Sequence, residues 1–282
     1  MIETNKLRNI AFVGHGGGGK TSIAEAMLYN TDNISRLGRT EDGNTAMDFE
    51  PEEIIRQSSI STGFHQYSWK KHTVCLIDTP GDQNFFSDTK LSMQAADGAV
   101  VTIDAVDGVR FQAEQAWDFA DDFKIPRIIF INKLDKERSD FIRTFKDITD
   151  IFTPKPMIVQ LPMGKEESFK GIVDLISMKA YTYADDGKAK ECDIPADIQD
   201  MVDAERETLV ENIAEADDDL LEKYLEGESL SDDELRSALK KGVIEQKIVP
   251  VLCGSATKNI GIDLLSDFIV ACLPSPFDRD KI

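Results

Sequence analysis

The run NIAFVGHGGGGKTSIAEAM (residues 9–27) decides the fold. Asn9–Gly14 reads as a strand, and Lys20–Tyr29 reads as a helix with Ile23, Ala24, Ala26 and Met27 facing inward. Between them GHGGGGKT (14–21) fits G-x-x-x-x-G-K-[ST]. A strand before and a helix after are the context a phosphate-binding loop needs. Gly14, Gly16, Gly17, Gly18 and Gly19 let the backbone wrap an anion with several N–H groups pointing inward. Lys20 supplies a point charge for β- and γ-phosphates. Thr21 offers a hydroxyl to Mg2+, and Ser22 follows at the same helix N-terminus, whose dipole favours negative charge. The alternative, a glycine-rich turn without a ligand, leaves the strand and the helix unexplained.

Working outward, four more short apolar runs read as strands: Val74–Asp78, Ala99–Asp104, Arg127–Asn132 and Ile248–Cys253. They are nearly continuous in hydrophobic residues, as in a parallel sheet buried on both faces. With helices between several of them, the fold class is α/β: a P-loop NTPase with a doubly wound, mostly parallel sheet and an inserted α+β subdomain. Such sheets bind ligands at the carboxyl ends of their strands.

Candidate ligands sit at those ends. DTPGDQNF (78–85) follows the second run. Asp78 can hold Mg2+ from the side opposite Thr21, and Gly81 can offer an N–H to a γ-phosphate. Asp82 and Gln83 are the candidate catalytic groups beside Gly81. NKLD (132–135) ends a later strand. A carboxylate at Asp135 can accept from N1–H and the exocyclic amine of guanine. Adenine lacks that donor pair and would leave the carboxylate unpaired, so GTP or GDP is selected over ATP. Asn132 would tie the loops together, the Lys133 stem would lie along the base, and Ser255 and Ala256 would face guanine O6. Each motif alone could be chance; together, in order and each at a strand end, they are not.

The pattern breaks at TPKP (153–156). MIVQLPMG and FKGIVDLISMKAYTYADDG then read as a small antiparallel sheet with a turn at Asp185–Asp186–Gly187. Helices follow over 195–242, with Ser231 and Glu234 in a capping-box pattern. The expected organisation is a nucleotide domain at 1–156, an insert at 157–247, a closing part at 248–273 and a linker at 274–282.

Bulk properties narrow the function. At 282 residues and 41% hydrophobic content the chain has ample material for a core. A net charge of −20 argues against general nucleic-acid binding, which needs a basic face. Residues 201–240 hold 14 acidic and 4 basic side chains, half of the net excess. That segment is either a solvated face or a dock for a basic partner. Four scattered cysteines without a CxxC pair fit reduced thiols in a cytoplasmic protein, and three histidines make a histidine-rich metal site a poor fit. No apolar run reaches the ~20 residues of a membrane span, and no signal peptide is expected.

With these motifs in place the chain resembles the translational GTPases, most closely the bacterial elongation factor G family. DGAVVTIDAVDGV (97–109), PRIIFINKLD (126–135), QLPMGKEESFKGIVDL (160–175), EKYLEGESLSDDELRSAL (222–239) and CGSATKNIGI (253–262) follow its pattern. The resemblance implies that 157–247 is that family's G′ insert and that LPSPFDRDKI (273–282) leads toward four further domains. It implies a monomer that acts on the ribosome in translocation or recycling, with the acidic 195–242 segment near the ribosomal stalk.

The departures matter as much. The family's loop is close to A-H-I-D-A-G-K-T-T; here Gly16 and Gly17 replace Ile and the acidic residue. The family's R-G-I-T-I finds its nearest match in Arg56–Ile60, which makes Ser59 the Mg2+ hydroxyl, with Ser58, Ser61 and Thr62 as further candidates. The family's water-orienting histidine after D-T-P-G is here Asp82, and Gln83 lies one residue too far along to replace it directly. An ionised Asp82 at ~5 Å from a phosphate charge would be repelled by about 3 kcal/mol at an effective dielectric of ~20. Two readings stay open: a GTPase with a rebuilt water-positioning group, and a GTP-responsive switch with little turnover.

Overall fold

The computed structural model describes residues 3–184 and 187–279. The first half runs β1 (Leu7–Val13), α1 (Lys20–Asn30), α2 (Pro51–Arg56), β2 (Gly63–Trp69), β3 (His72–Asp78), α3 (Phe86–Ala95), β4 (Gly98–Asp104), α4 (Phe111–Asp122), β5 (Arg127–Asn132) and α5 (Phe141–Ile151). The second half runs β6 (Pro156–Ile158), β7 (Gln160–Met163), β8 (Gly171–Asp174), β9 (Lys179–Tyr183), β10 (Ala189–Cys192), α6 (Gln199–Glu215), α7 (Asp218–Leu225), α8 (Asp232–Ile244), β11 (Val249–Cys253) and α9 (Ile262–Cys272).

Seven strands form the central sheet in the order β2-β3-β1-β4-β5-β11-β6. All neighbours are parallel except β2, which runs antiparallel to β3 at the edge. Every residue of β4 and β5 is buried, which is why both read as unbroken apolar runs. α1 and α9 pack together on the side of β2 and β3, while α3 and α4 pack over β1 and β4. This is the doubly wound sheet expected from sequence. Its carboxyl edge carries the loops after β1, β3, β5 and β11, so the four motifs gather at one rim. Among the described residues no helix is long and apolar enough to cross a membrane.

A second sheet, β10-β9-β8-β7, is antiparallel throughout. Its composition differs from the sequence reading at one point. The reading puts MIVQLPMG wholly within the small sheet, but Pro156–Ile158 pairs with β11 at the outer edge of the large one. The change of sheet happens at Val159, whose N–H donates to Val251 O at 3.1 Å. No turn residue marks it, because one apolar run serves two partners. The expected boundary at 156/157 therefore falls inside β6. Asp185 and Asp186 of the expected turn lie outside the described residues; Gly187 takes φ +71°.

α6, α7 and α8 cover the acidic segment. Ser231 caps α8, with Glu234 closing the reciprocal capping box, an arrangement worth about 1 kcal/mol. Tyr183 donates to Asp263 Oδ1 at 2.7 Å, and α8 packs on α9, so small sheet and helices both meet the closing part of the main domain.

Candidate functional site

The loop after β1 closes on itself around Lys20. The Lys20 Nζ donates to Gly14 O at 3.2 Å and His15 O at 2.9 Å, and burial lowers its pKa to about 8. Gly18 N–H donates to His15 O at 3.2 Å, while Gly16 and Gly17 are exposed. Gly16 N–H donates to Gly81 O at 3.0 Å, joining this loop to the turn after β3. Two glycines allow close approaches that a side chain would block. A Cβ on Gly19, whose φ is +95°, would stand 2.2 Å from Asn132 Nδ2. One on Gly81 would stand 2.4 Å from Gly16 N and 2.5 Å from Lys20 Nζ.

Thr21, Asp78 and Ser59, the residues the sequence assigns to Mg2+, come together in the structure. Thr21 Oγ1 donates to Asp78 Oδ2 at 2.7 Å, and Thr21 Oγ1 and Ser59 Oγ are 3.2 Å apart. Sequence reasoning missed a fourth member. Asp48 is buried, and its Oδ1 accepts from Ser59 Oγ at 2.6 Å. The two hydroxyls also lie within hydrogen-bonding distance of each other, so the four side chains form one connected cluster. Asp78 is 1% exposed, and its Oδ1 has no hydrogen-bond partner. Burial pushes its carboxyl up to about 7, against the pull of Lys20 and Thr21; Asp48 is also shifted upward by burial. An orphaned buried carboxylate oxygen on Asp78, beside two hydroxyls and a second buried carboxylate, fits a divalent cation with hard oxygen ligands.

At the other end, Asn132 bridges two loops. Its Nδ2 donates to Gly18 O at 3.0 Å, and its Oδ1 accepts from Ala256 N at 3.0 Å. Asp135 Oδ1 accepts from Ser255 Oγ at 2.6 Å, and the Asp135 side chain is only 6% exposed. Lys133 adopts φ +66° and places Nζ 2.7 Å from Asp104 Oδ2. Asp104, another residue that sequence reasoning passed over, is buried and also accepts from Val106 N–H. It fixes the Lys133 stem across the floor of the site. Buried His15 lies near Asp104 and Asp107, with Nε2 3.9 Å from Asp107 Oδ2, and neither ring nitrogen makes a hydrogen bond. Burial, then the Lys20 ammonium, lower its pKa to about 4.

A cleft of about 310 Å³ runs between these ends, lined by Gly16, Gly17, Gly19, Lys20, Thr21, Ser22, Ser59, Gly81, Asn132 and Lys133 among others. Asp135 lies on the wall of a neighbouring cavity of about 790 Å³ that shares Thr257 with the first. The loop after β1, the Thr21–Ser59–Asp78 cluster and Asp135 thus follow one another along one rim.

Asp82 behaves differently from the other candidates. Its Oδ1 accepts from Asn84 N and Asn84 Nδ2, both at 2.9 Å, capping the short turn Gln83–Phe85. Gln83 is exposed.

The chain is similar to known proteins along nearly its whole length. The model of the elongation factor Tu GTP binding domain matches residues 5–275. Elongation factor G of Thermotoga maritima is 40% identical over 283 residues, which covers 100% of this chain and 41% of that protein. Elongation factor G of Thermotoga sp. strain RQ2 gives the same figures. A crystal structure of a Thermus thermophilus protein superposes with a TM-score of 0.92 at 34% identity, covering 98% of this chain and 41% of the other. The chain spans about 41% of the length of these relatives.

Proposed function

The chain belongs to the family of elongation factor Tu GTP binding domains, and from that premise we propose that it is the nucleotide domain of an elongation factor G-like translation factor. In this reading it binds Mg-GTP and Mg-GDP and hydrolyses GTP on the ribosome during translocation or ribosome recycling, in the cytoplasm. The observation that carries nucleotide binding is the convergence of Lys20, Thr21, Ser59 and Asp78 at one end of a cleft whose other end is formed by Lys133, with Asp135 close beyond it.

The residues divide the work by chemistry. Lys20 leaves its own loop carbonyls for β- and γ-phosphate oxygens. The N–H groups of residues 16–21 receive the α- and β-phosphates at the start of α1. Thr21 and Ser59 hydroxyls with the Asp78 carboxylate, backed by Asp48, would hold Mg2+, which supplies neutralisation of the phosphate charge. The Asp135 carboxylate selects guanine, with Lys133 beneath the base and Asn132 fixing the distance between phosphate and base loops. Gly81 N–H addresses the γ-phosphate once its carbonyl releases Gly16.

For hydrolysis, Gln83 is free to orient water after a shift of the 81–84 backbone, whereas Asp82 is engaged with Asn84. That engagement also favours the second reading, a GTP-responsive switch with little turnover. Single-turnover hydrolysis of γ-labelled GTP, with and without ribosomes, separates them. A ribosome-stimulated rate supports the enzyme. Tight Mg-GTP binding without stimulated release of phosphate supports the switch.

A nucleotide domain, an insert and a closing part at 248–273 belong to the same proposal, with the first boundary moved from 156/157 to the end of β6, as does a monomeric state. The acidic 195–242 helices are a candidate contact for the ribosomal stalk. Deleting α7 and α8 and measuring ribosome binding tests that role.

A further inference from the structure

Residues 31–62 run from the end of α1 to the start of β2 with only a short turn at Thr40–Asp42 and the six-residue α2 as regular structure. They nevertheless deliver Asp48 and Ser59 to the cation site. A segment with so little regular structure satisfies its buried N–H groups through other acceptors, side chains among them.

Two buried glutamates do this from opposite ends. Glu25 sits on α1, one turn past Thr21, and is 1% exposed. Its Oε1 accepts from Ala46 N–H and, at 3.3 Å, from Met47 N–H. The Gly38 backbone also lies against this carboxylate. A Cβ on Gly38 would lie 2.6 Å from Glu25 Oε2, so the segment meets Glu25 through a residue without a side chain. Glu53 sits on α2 and is 2% exposed. Its Oε1 accepts from Ile60 N–H at 2.9 Å and Ser61 N–H at 3.0 Å, and its Oε2 accepts from Glu50 N–H at 3.2 Å.

The two attachments flank the working residues. Glu25 holds the two residues before Asp48, and Glu53 holds the two after Ser59. Between them the Asp48–Ser59 bond closes at 2.6 Å, and Ser59 reaches Thr21. A carboxylate can accept several N–H donors at once, where an amide oxygen offers fewer sites.

Resting on the assignment of a Mg-GTP site, we propose that Glu25 and Glu53 are positioning residues that set the register of residues 44–61, so that Asp48 and Ser59 face Thr21 and Asp78. Neither touches the nucleotide. Because Glu25 stands on the helix that follows the phosphate loop, any displacement of α1 is passed directly to Asp48.

The test separates positioning from mere support of the fold. Guanine nucleotide affinity is measured for wild type, Glu25→Ala, Glu25→Gln, Gly38→Ala and Glu53→Ala, with Mg2+ and with EDTA, beside backbone hydrogen exchange of the nucleotide-free chain. Outer partners of a metal site typically contribute 10–100-fold in metal affinity. The expected result is a loss of about tenfold or more in the Mg2+-dependent part of affinity for Glu25→Ala, Gly38→Ala and Glu53→Ala. EDTA affinity stays within about threefold of wild type, and Glu25→Gln falls between wild type and Glu25→Ala because it keeps one acceptor oxygen. Exchange protection drops at 46–47 in Glu25→Ala and at 60–61 in Glu53→Ala.

Equal losses with and without Mg2+, or an undiminished Mg2+ effect, overturn the proposal. If wild type binds no guanine nucleotide, the function assigned to the site fails. The exchange data then decide the register claim alone: unchanged protection at 46–47 and 60–61 overturns it, and lost protection upholds it.

Discussion

Asn132 donates from Nδ2 to the carbonyl oxygen of Gly18 at 3.0 Å, joining two loops that are 114 residues apart in sequence. The same side chain accepts from Ala256 N–H. It is a strut between the phosphate end and the base end of the cleft, and both ends of it are buried. Asn132→Ala leaves the Ala256 N–H and the Gly18 carbonyl without partners, at about 1–3 kcal/mol for each unsatisfied group. Nucleotide affinity is expected to fall by at least tenfold with GDP and GTP alike, since both ends are shared. Titration calorimetry with each nucleotide checks it.

In the proposed function, base choice rests on Asp135. A carboxylate accepts twice from guanine. An amide in its place accepts once and donates once, which suits xanthine with its N1–H and C2 carbonyl. Asp135→Asn is expected to weaken GTP by roughly 100-fold or more, the order seen when a site built for paired donors and acceptors loses its match, and to gain xanthosine triphosphate. Competition binding of the two nucleotides reads this directly.

His15 carries a pH prediction. Its neighbours in charge are Lys20, Lys133, Asp104 and Asp107, and burial dominates. Its folded pKa is about 4 against an ordinary 6.5. As pH falls through 6.5 the unfolded chain takes up a proton and the folded chain does not, so stability is lost until pH nears 4. Between pH 7 and pH 5 that amounts to about 2 kcal/mol. His15→Gln removes this component. Urea unfolding at the two pH values should show a larger acid loss in wild type than in the variant; parallel losses would contradict the assignment.

Asp82 caps a turn through Asn84, so its replacement by asparagine, which keeps the Oδ1 acceptor, should leave GTP turnover within about threefold of wild type. Asp82→His places an imidazole, which can both accept from and donate to water, in the turn beside Gly81. It is expected to raise ribosome-stimulated hydrolysis. A collapse of activity in Asp82→Asn would show that the carboxylate itself works in catalysis.

What could be read in the sequence follows from distance along the chain. GHGGGGKT, DTPG and NKLD were legible because each binding group is presented by a strand end a few residues away. Fully buried β4 and β5 were legible because burial on both faces leaves one unbroken apolar run. Asp48 was not, since its partner Ser59 lies 11 residues on through a segment with no periodicity. Glu25 left a faint trace: a lone carboxylate in the small apolar run IAEAML on α1. Its partners, 21 and 22 residues away, could not be inferred. The split of MIVQLPMG between two sheets was invisible for a related reason, because strand propensity does not name the strand's neighbour.

The central claim is a Mg2+-dependent guanine nucleotide site, and calorimetric titration of the chain with GTP, GDP and ATP, each with Mg2+ and with EDTA, tests it most directly. The account predicts binding of GTP and GDP that weakens when Mg2+ is removed, and ATP weaker by roughly 1,000-fold or more, since adenine leaves the Asp135 carboxylate unpaired. ATP binding as tightly as GTP, or GTP affinity indifferent to Mg2+, would contradict it.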